Sequence, residues 1–257
     1  KKICKKLNVE LVLIPNPMFL TKQDLKEKFF EKNSKPFMGN FYKQQRSDLN
    51  ILMNGKNPEG NQWSYDDLNR KKLPNKILIP EIKKVSETLN TKHTKITISK
   101  LFHDHPGSVE NFNIPTTRKQ ALSWLDDFLK NKFSLFGDYE DAISKKGHVL
   151  FHSLLSPLLN IGLITPDEVV TKAIKFAKDK KIKINNTEGF VRQIIGWREF
   201  IKNVYDYHGN DMKKSNFWRH KLKMKKSWYD GSTGIEPLDH SIKEINKHGY
   251  AHHIIRL

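Results

Sequence analysis

The chain has 257 residues and a mass of 30.1 kDa, enough for one large domain or two smaller ones, and its 11% aromatic content supplies a core and excludes a disordered basic tail. A formal net charge of +18 and a pI near 9.7 point to an anionic partner, nucleic acid first. The single Cys4 excludes an internal disulfide and any site held by several cysteines, and no apolar run approaches the roughly eighteen residues that span a bilayer, so a soluble cytoplasmic protein without a membrane partner is expected.

Lysine excess alone can follow from base composition, so the seven arginines are the more informative cations. Their fixed, always-charged fork suits phosphate, and Arg70, Arg192, Arg198 and Arg256 all fall in stretches that stand out for other reasons.

In chain order, the apolar run at residues 8–14 predicts a strand stopped by Pro15 and Pro17, with no second strand pattern to pair with it. Helical patterns follow near Lys22 to Glu31 and over 38–52. A turn-rich run from Asn54 to Gly60 then opens a long connection containing Trp63 to Arg70, with a helix expected near Pro80 to Leu89. His103-Asp104-His105 has two imidazoles close together, but Pro106-Gly107 follows at once, which reads as a loop and not a metal site.

From about residue 115 the chain is expected to be almost entirely helical. Thr117 to Gln120 has capping-box form and leads into the amphipathic run Ala121 to Leu129. Thr165-Pro-Asp-Glu168 is a second box, opening a helix over Val169 to Lys180. Between them, Leu150 to Leu163 is too apolar for a surface helix and carries the hydroxyls of Ser153 and Ser156. Buried, these would bond to preceding carbonyls; near a helix N-terminus they would suit a phosphate.

The stretch Glu188 to Phe200 organises the second half. Phe190, Ile194, Trp197, Ile201 and Val204 recur at helical spacing and Val191 and Ile195 widen the stripe, so one buried apolar face is expected. Arg198 sits at its border and needs a partner, an acid on a neighbouring helix being the plain structural expectation.

Eight collinear stretches carry a resemblance: Phe37 to Tyr42, Leu52 to Gly55, Trp63 to Arg70, Phe136 to Ala142, His152 to Ser156, Glu188 to Phe200, Trp228-Tyr229 and Ala251 to Arg256. Together they resemble the photolyase/cryptochrome superfamily, in its bacterial iron–sulfur branch that contains prokaryotic (6-4) photolyases. The resemblance implies a mainly α fold: the remnant of an N-terminal α/β antenna domain at 1–35, an interdomain connector at 36–115, and part of a helical FAD-binding catalytic domain at 116–257. It also implies an internal fragment of a longer protein, acting as a monomer on UV-damaged DNA, with the antenna pigment left open.

By position, the resemblance implies that Tyr139, Ser153, Leu154, Leu155, Ser156, Gln193, Arg198 and Arg256 contact FAD, and that Tyr139, Ser153, Ser156, Arg198 and Arg256 converge on one concavity. It places Trp197 and Arg70 against the DNA lesion, which must be flipped out of the stack to reach a buried electron donor. His252 and His253 match a catalytic pair whose second member gives a proton to the (6-4) lesion; imidazole suits that step because its unperturbed pKa near 6.5 lets it hold and release a proton near neutrality. The family's cluster-ligand cysteines have no counterpart in the chain, so no iron–sulfur cluster is expected here. A flavin photoreceptor of cryptochrome type without repair, and a cofactor-free basic DNA-binding module, are the alternative readings.

Overall fold

The computed structural model describes residues 2–256 except Leu13, Pro15, Asn33, Ser34 and Pro106, and for Lys2, Lys5 and Arg256 the backbone alone. The architecture is mainly α. In order come α1 (Lys2–Lys6), α2 (Gln23–Lys26) running into a π-turn at Glu27–Glu31, α3 (Met38–Leu49), and a two-residue β-hairpin pairing β1 (Met53–Asn54) with β2 (Asn57–Pro58). Then follow α4 (Leu89–Leu101), α5 (Arg118–Asn131), α6 (Phe136–Tyr139), α7 (Ser156–Asn160), α8 (Pro166–Lys180) and α9 (Ile184–Val191). A second π-turn (Arg192–Arg198) leads into α10 (Glu199–Lys214), and α11 (Ser227–Asp230), α12 (Glu236–His248) and α13 (His253–Arg256) close the chain. Among the described residues no helix is long and apolar enough to cross a membrane.

The core forms where amphipathic stripes meet. Trp124, Leu125, Phe128 and Leu129 of α5 pack on Val169, Val170 and Ala173 of α8 and on Phe190 and Val191 of α9. Phe190 is its centre, with ring centroids 4.9 Å from Phe128, 5.5 Å from Phe133 and 5.4 Å from Phe136. A smaller cluster of Leu25, Phe30, Phe41 and Phe200 binds the π-turn after α2 to α3 and α10. Where α6 crosses α9 the backbones nearly touch: a Cβ on Gly137 would lie 2.6 Å from the Asn185 carbonyl oxygen, so only glycine fits.

Both caps in the second half start helices as expected. Thr165 accepts from the Glu168 N–H while Glu168 accepts from the Thr165 N–H, a complete box. Thr117 accepts from the Gln120 N–H, but the Gln120 side chain returns to the N–H of Thr116.

Four expectations need correction. Among the described residues of 8–14 there is no strand, because extended backbone needs a ladder partner and the described residues offer none. The helix expected near Pro80 to Leu89 is irregular chain, and helix begins instead at Leu89, where the Thr88 side chain caps the Thr91 N–H. The region after 115 contains two long non-helical connections, 140–155 and 215–226; the first replaces most of the apolar helix expected from Leu150 and the second exposes Phe217, Trp218 and Leu222.

The fourth correction concerns the stripe on the central helix. Phe190, Val191, Ile194 and Ile195 are buried, but Trp197 and Ile201 are 40% and 56% exposed. The π-turn holds one residue more than an α-turn and so changes the phase of the helix, and past it the inward face falls on Glu199, Phe200 and Asn203. Glu199 anchors this shifted face: its carboxylate accepts from the N–H of Leu20 (2.8 Å), the N–H of Thr21 (3.2 Å) and the Thr21 hydroxyl (2.7 Å).

Candidate functional site

The residues with chemical promise gather around the connection 140–155 and the end of α12. Leu150 (φ 48°) and Leu154 (φ 55°) both take the left-handed conformation, strained for a side chain of that size, and they flank His152 symmetrically. His152 is buried, stacks on His252 (centroids 4.2 Å, planes 13° apart) and meets His253 edge-on at 5.4 Å. Phe136 packs edge-on to the same ring at 5.9 Å, and Tyr139 lies 5.4 Å from Phe151. Tyr139, His152, His252 and His253 therefore share one place, His252 buried and His253 half-buried.

Burial holds the His152 imidazole well below its usual range, and the neighbouring His252, His253 and Lys132 push the same way against the Glu140 backbone carbonyl. His152 is neutral at physiological pH, and its Nε2 is buried with no hydrogen-bond partner. Lys132 is itself pushed down to about 8 by burial.

The phosphate-type residues divide. The Ser153 carbonyl accepts from the Trp124 indole at 2.9 Å, while its hydroxyl accepts from the Leu155 N–H at 3.4 Å, which fixes the bend. Leu154 and Leu155 are buried, and Ser156 opens the short α7 exposed to solvent. Arg256 belongs to α13, but its side chain lies outside the described residues.

Beside this cluster runs a buried ionic network that sequence reasoning did not single out. Arg192 meets Glu188 (3.2 Å), Glu140 (3.2 Å) and Asp66 (3.0 Å). Glu188, fully buried, also accepts from the Tyr42 hydroxyl (2.9 Å) and the Tyr65 N–H (3.0 Å). Glu140 accepts from Asn69 (3.1 Å) and from Gln193 (3.1 Å), so Gln193, expected at the flavin, is engaged here. Burial pushes the Glu140 carboxyl up to about 7, against the pull of Arg192 and Asn69. Arg70 lies at the outer edge, exposed and paired with Asp66 and, at 3.8 Å, with Asp141.

Arg198 faces elsewhere. It donates to the Met18 carbonyl at 2.6 Å and lies over the Phe19 ring at 4.2 Å, so a carbonyl and an aromatic face stand where an acid was expected. Burial lowers its pKa, with Glu199 opposing. Trp197, half-exposed, meets Phe200 edge-on at 6.2 Å. The fully buried guanidinium of Arg46 also escaped the sequence reading: it donates to the carbonyls of Ile51, Leu52 and Trp63, a structural role that only the fold reveals.

His103, Asp104 and His105 lie exposed in a loop, as their Pro-Gly context predicts. A cleft of about 620 Å³ lies away from the histidines, between the hairpin and α8, past Leu49, Leu52, Glu59, Ile174 and Lys178.

The profile of a family described as deoxyribodipyrimidine photo-lyase-related protein matches residues 1–114. A (6-4) photolyase of Agrobacterium fabrum is 36% identical over 221 residues, covering 84% of this chain and 43% of that protein. An uncharacterised protein of Acanthamoeba polyphaga mimivirus, R853, is 43% identical over 112 residues, covering 43% of this chain and 85% of its own length. A crystal structure of a bacterial class III photolyase from Agrobacterium tumefaciens aligns with 69% of this chain and 36% of its own, at 26% identity and a TM-score of 0.49. The chain thus spans less than half the length of the curated photolyase it matches.

Proposed function

The chain belongs to the photolyase-related family, and from that premise we propose that it carries the histidine-bearing part of a flavin-dependent, light-driven lyase that repairs pyrimidine lesions in UV-damaged DNA, of (6-4) type. The observation that carries the reading is the packing of the adjacent His252 and His253 on His152. His152 is neutral and deep, whereas His253 is half-buried.

In this reading residues 116–257 form the flavin-binding part, 36–115 the connector and 1–35 the end of an antenna domain. Tyr139, Ser153, Leu154, Leu155, Ser156, Gln193 and Arg256 would hold FAD, whereas Arg198, turned to the Met18 carbonyl and the Phe19 ring, would not. The buried Nε2 of His152, lacking a partner beside a strained bend, suits a cofactor rich in hydroxyl and phosphate oxygens. Bound flavin would supply the electron after light absorption. The chain's own residues do the rest: Arg70 and Trp197, both exposed, face an extruded nucleotide, and the net charge of +18 draws in the phosphate backbone. His253 holds a proton and delivers it to the lesion, while the neutral His152 fixes the pair without competing for the charge.

The test is His253→Asn, which keeps a hydrogen-bonding side chain but removes the transferable proton. Blue-light repair of an oligonucleotide with a single (6-4) lesion should be abolished, with the melting temperature within a few degrees of wild type. Wild-type repair by the folded variant removes the histidine from the reaction, and flavin binding without repair in the wild-type protein favours a light sensor.

A further inference from the structure

The segments 148–152 and 248–252 lie side by side with matching spacing, so that His148 meets His248 just as His152 meets His252. The outer pair differs from the inner in what it faces. Its rings are 4.1 Å apart and within 5° of parallel, and Glu244, one helical turn before His248 on α12, points at both. The carboxylate oxygen Oε2 of Glu244 lies 3.6 Å from His148 Nδ1 and 3.5 Å from His248 Nε2, and one ligand atom from each of the three residues lies within 4.8 Å of the others. All three side chains are about one-fifth exposed, open enough for an ion to enter and sheltered enough to hold one.

Those separations are too long for good hydrogen bonds. They match the roughly 3.4 Å edge between ligand atoms around a tetrahedral zinc ion with bonds of about 2.0–2.1 Å. We propose that His148, Glu244 and His248 bind one divalent transition-metal ion of the zinc class, leaving a fourth position for water. Two imidazoles and a carboxylate are a donor set that zinc favours over magnesium or calcium, which prefer all-oxygen sites. Parallel rings cannot both aim their lone pairs at one ion, so one ring turns about its Cβ–Cγ bond on binding, a torsion with broad wells. The ion would clamp α12 to the bend that carries His152, and the inference does not rest on the proposed repair activity.

The experiment is titration of tag-free protein with Zn²⁺, and with Co²⁺ as a visible reporter of four-coordinate binding. Wild type should take up one ion per chain with intense Co²⁺ absorption and a rise in melting temperature. His248→Ala and Glu244→Gln should each weaken binding at least about tenfold, the loss that even indirect partners of a metal ligand cause, while melting like wild type in chelator. His105→Ala should change nothing. Should His248→Ala fail to fold, Glu244→Gln alone decides. Unchanged affinity in Glu244→Gln, loss of binding in His105→Ala, or uptake without fixed stoichiometry overturns the site.

Discussion

Two stacked imidazole pairs lie side by side along the same two segments, alike in geometry and opposite in surroundings. The inner pair, His152 on His252, is buried, with the Glu140 carbonyl and the Phe136 ring for company. The outer pair, His148 on His248, is partly exposed and faces the Glu244 carboxylate. The difference teaches that ring stacking alone assigns no role. A neighbouring carboxylate makes imidazoles fit to share a cation, whereas burial without one keeps a ring neutral and selects among its neighbours which can carry a proton.

The largest expected effect breaks the platform under the inner pair. Arg192→Met leaves Glu188 and Glu140 buried without their guanidinium and should cost about 3–5 kcal/mol in denaturant unfolding. A loss below about 1 kcal/mol would show that the network does not support the bend.

Lys132→Met sharpens the contrast by removing a buried charge that presses on both pairs. Its pKa falls on folding from 10.5 to about 8, so wild-type stability present above pH 10.5 is lost as the pH falls to about 8 and is flat below. The variant should lack that slope and be more stable at pH 7, by roughly 2 kcal/mol. Proton NMR titration should also show the His148 pKa move upward. An unchanged alkaline profile would place the ammonium in water.

Glu140→Gln tests the opposite linkage. The carboxyl rises from 4.5 to about 7 on folding, so its contribution is complete below pH 4.5 and lost as the pH rises to about 7. Melting curves of the glutamine variant should be flatter than wild type across that window; a steeper fall would mean that Arg192 keeps the acid ionised.

The smallest effect calibrates the others. Thr165→Ala, at the cap of α8, should cost about 1 kcal/mol and leave the histidine resonances of both pairs unmoved.

Local signals were legible in the sequence. The Thr165 box, Pro166 and the apolar spacing of α5 and α8 need only neighbouring residues, and the chain builds them as read. What escaped depends on distant partners. Arg46 and Arg192 are buried because carbonyls and acids far along the chain receive them, and a guanidinium in a one-dimensional reading looks like a surface cation. Residues 8–14 have strand composition, but those described find no ladder to join among the described residues. The helix proposed near Pro80 slid to Leu89 because the cap at Thr88 outweighed weak periodicity. The motif at 252–253 marks one histidine pair; its third member, His152, lies far along the chain beside Ser153, and only the fold joins them.

The π-turn at Arg192–Arg198 also bears on descent. A π-turn is a helix that has absorbed one inserted residue, and the Glu199 anchor to Thr21 keeps the insertion from being relaxed along the helix. In a relative lacking the extra residue, the positions aligned with Trp197 and Ile201 would turn inward and those aligned with Phe200 and Asn203 outward. A gapless alignment through this segment would then pair residues of opposite facing, so the inheritance of roles past Arg198 has to be traced through the indel and not by column.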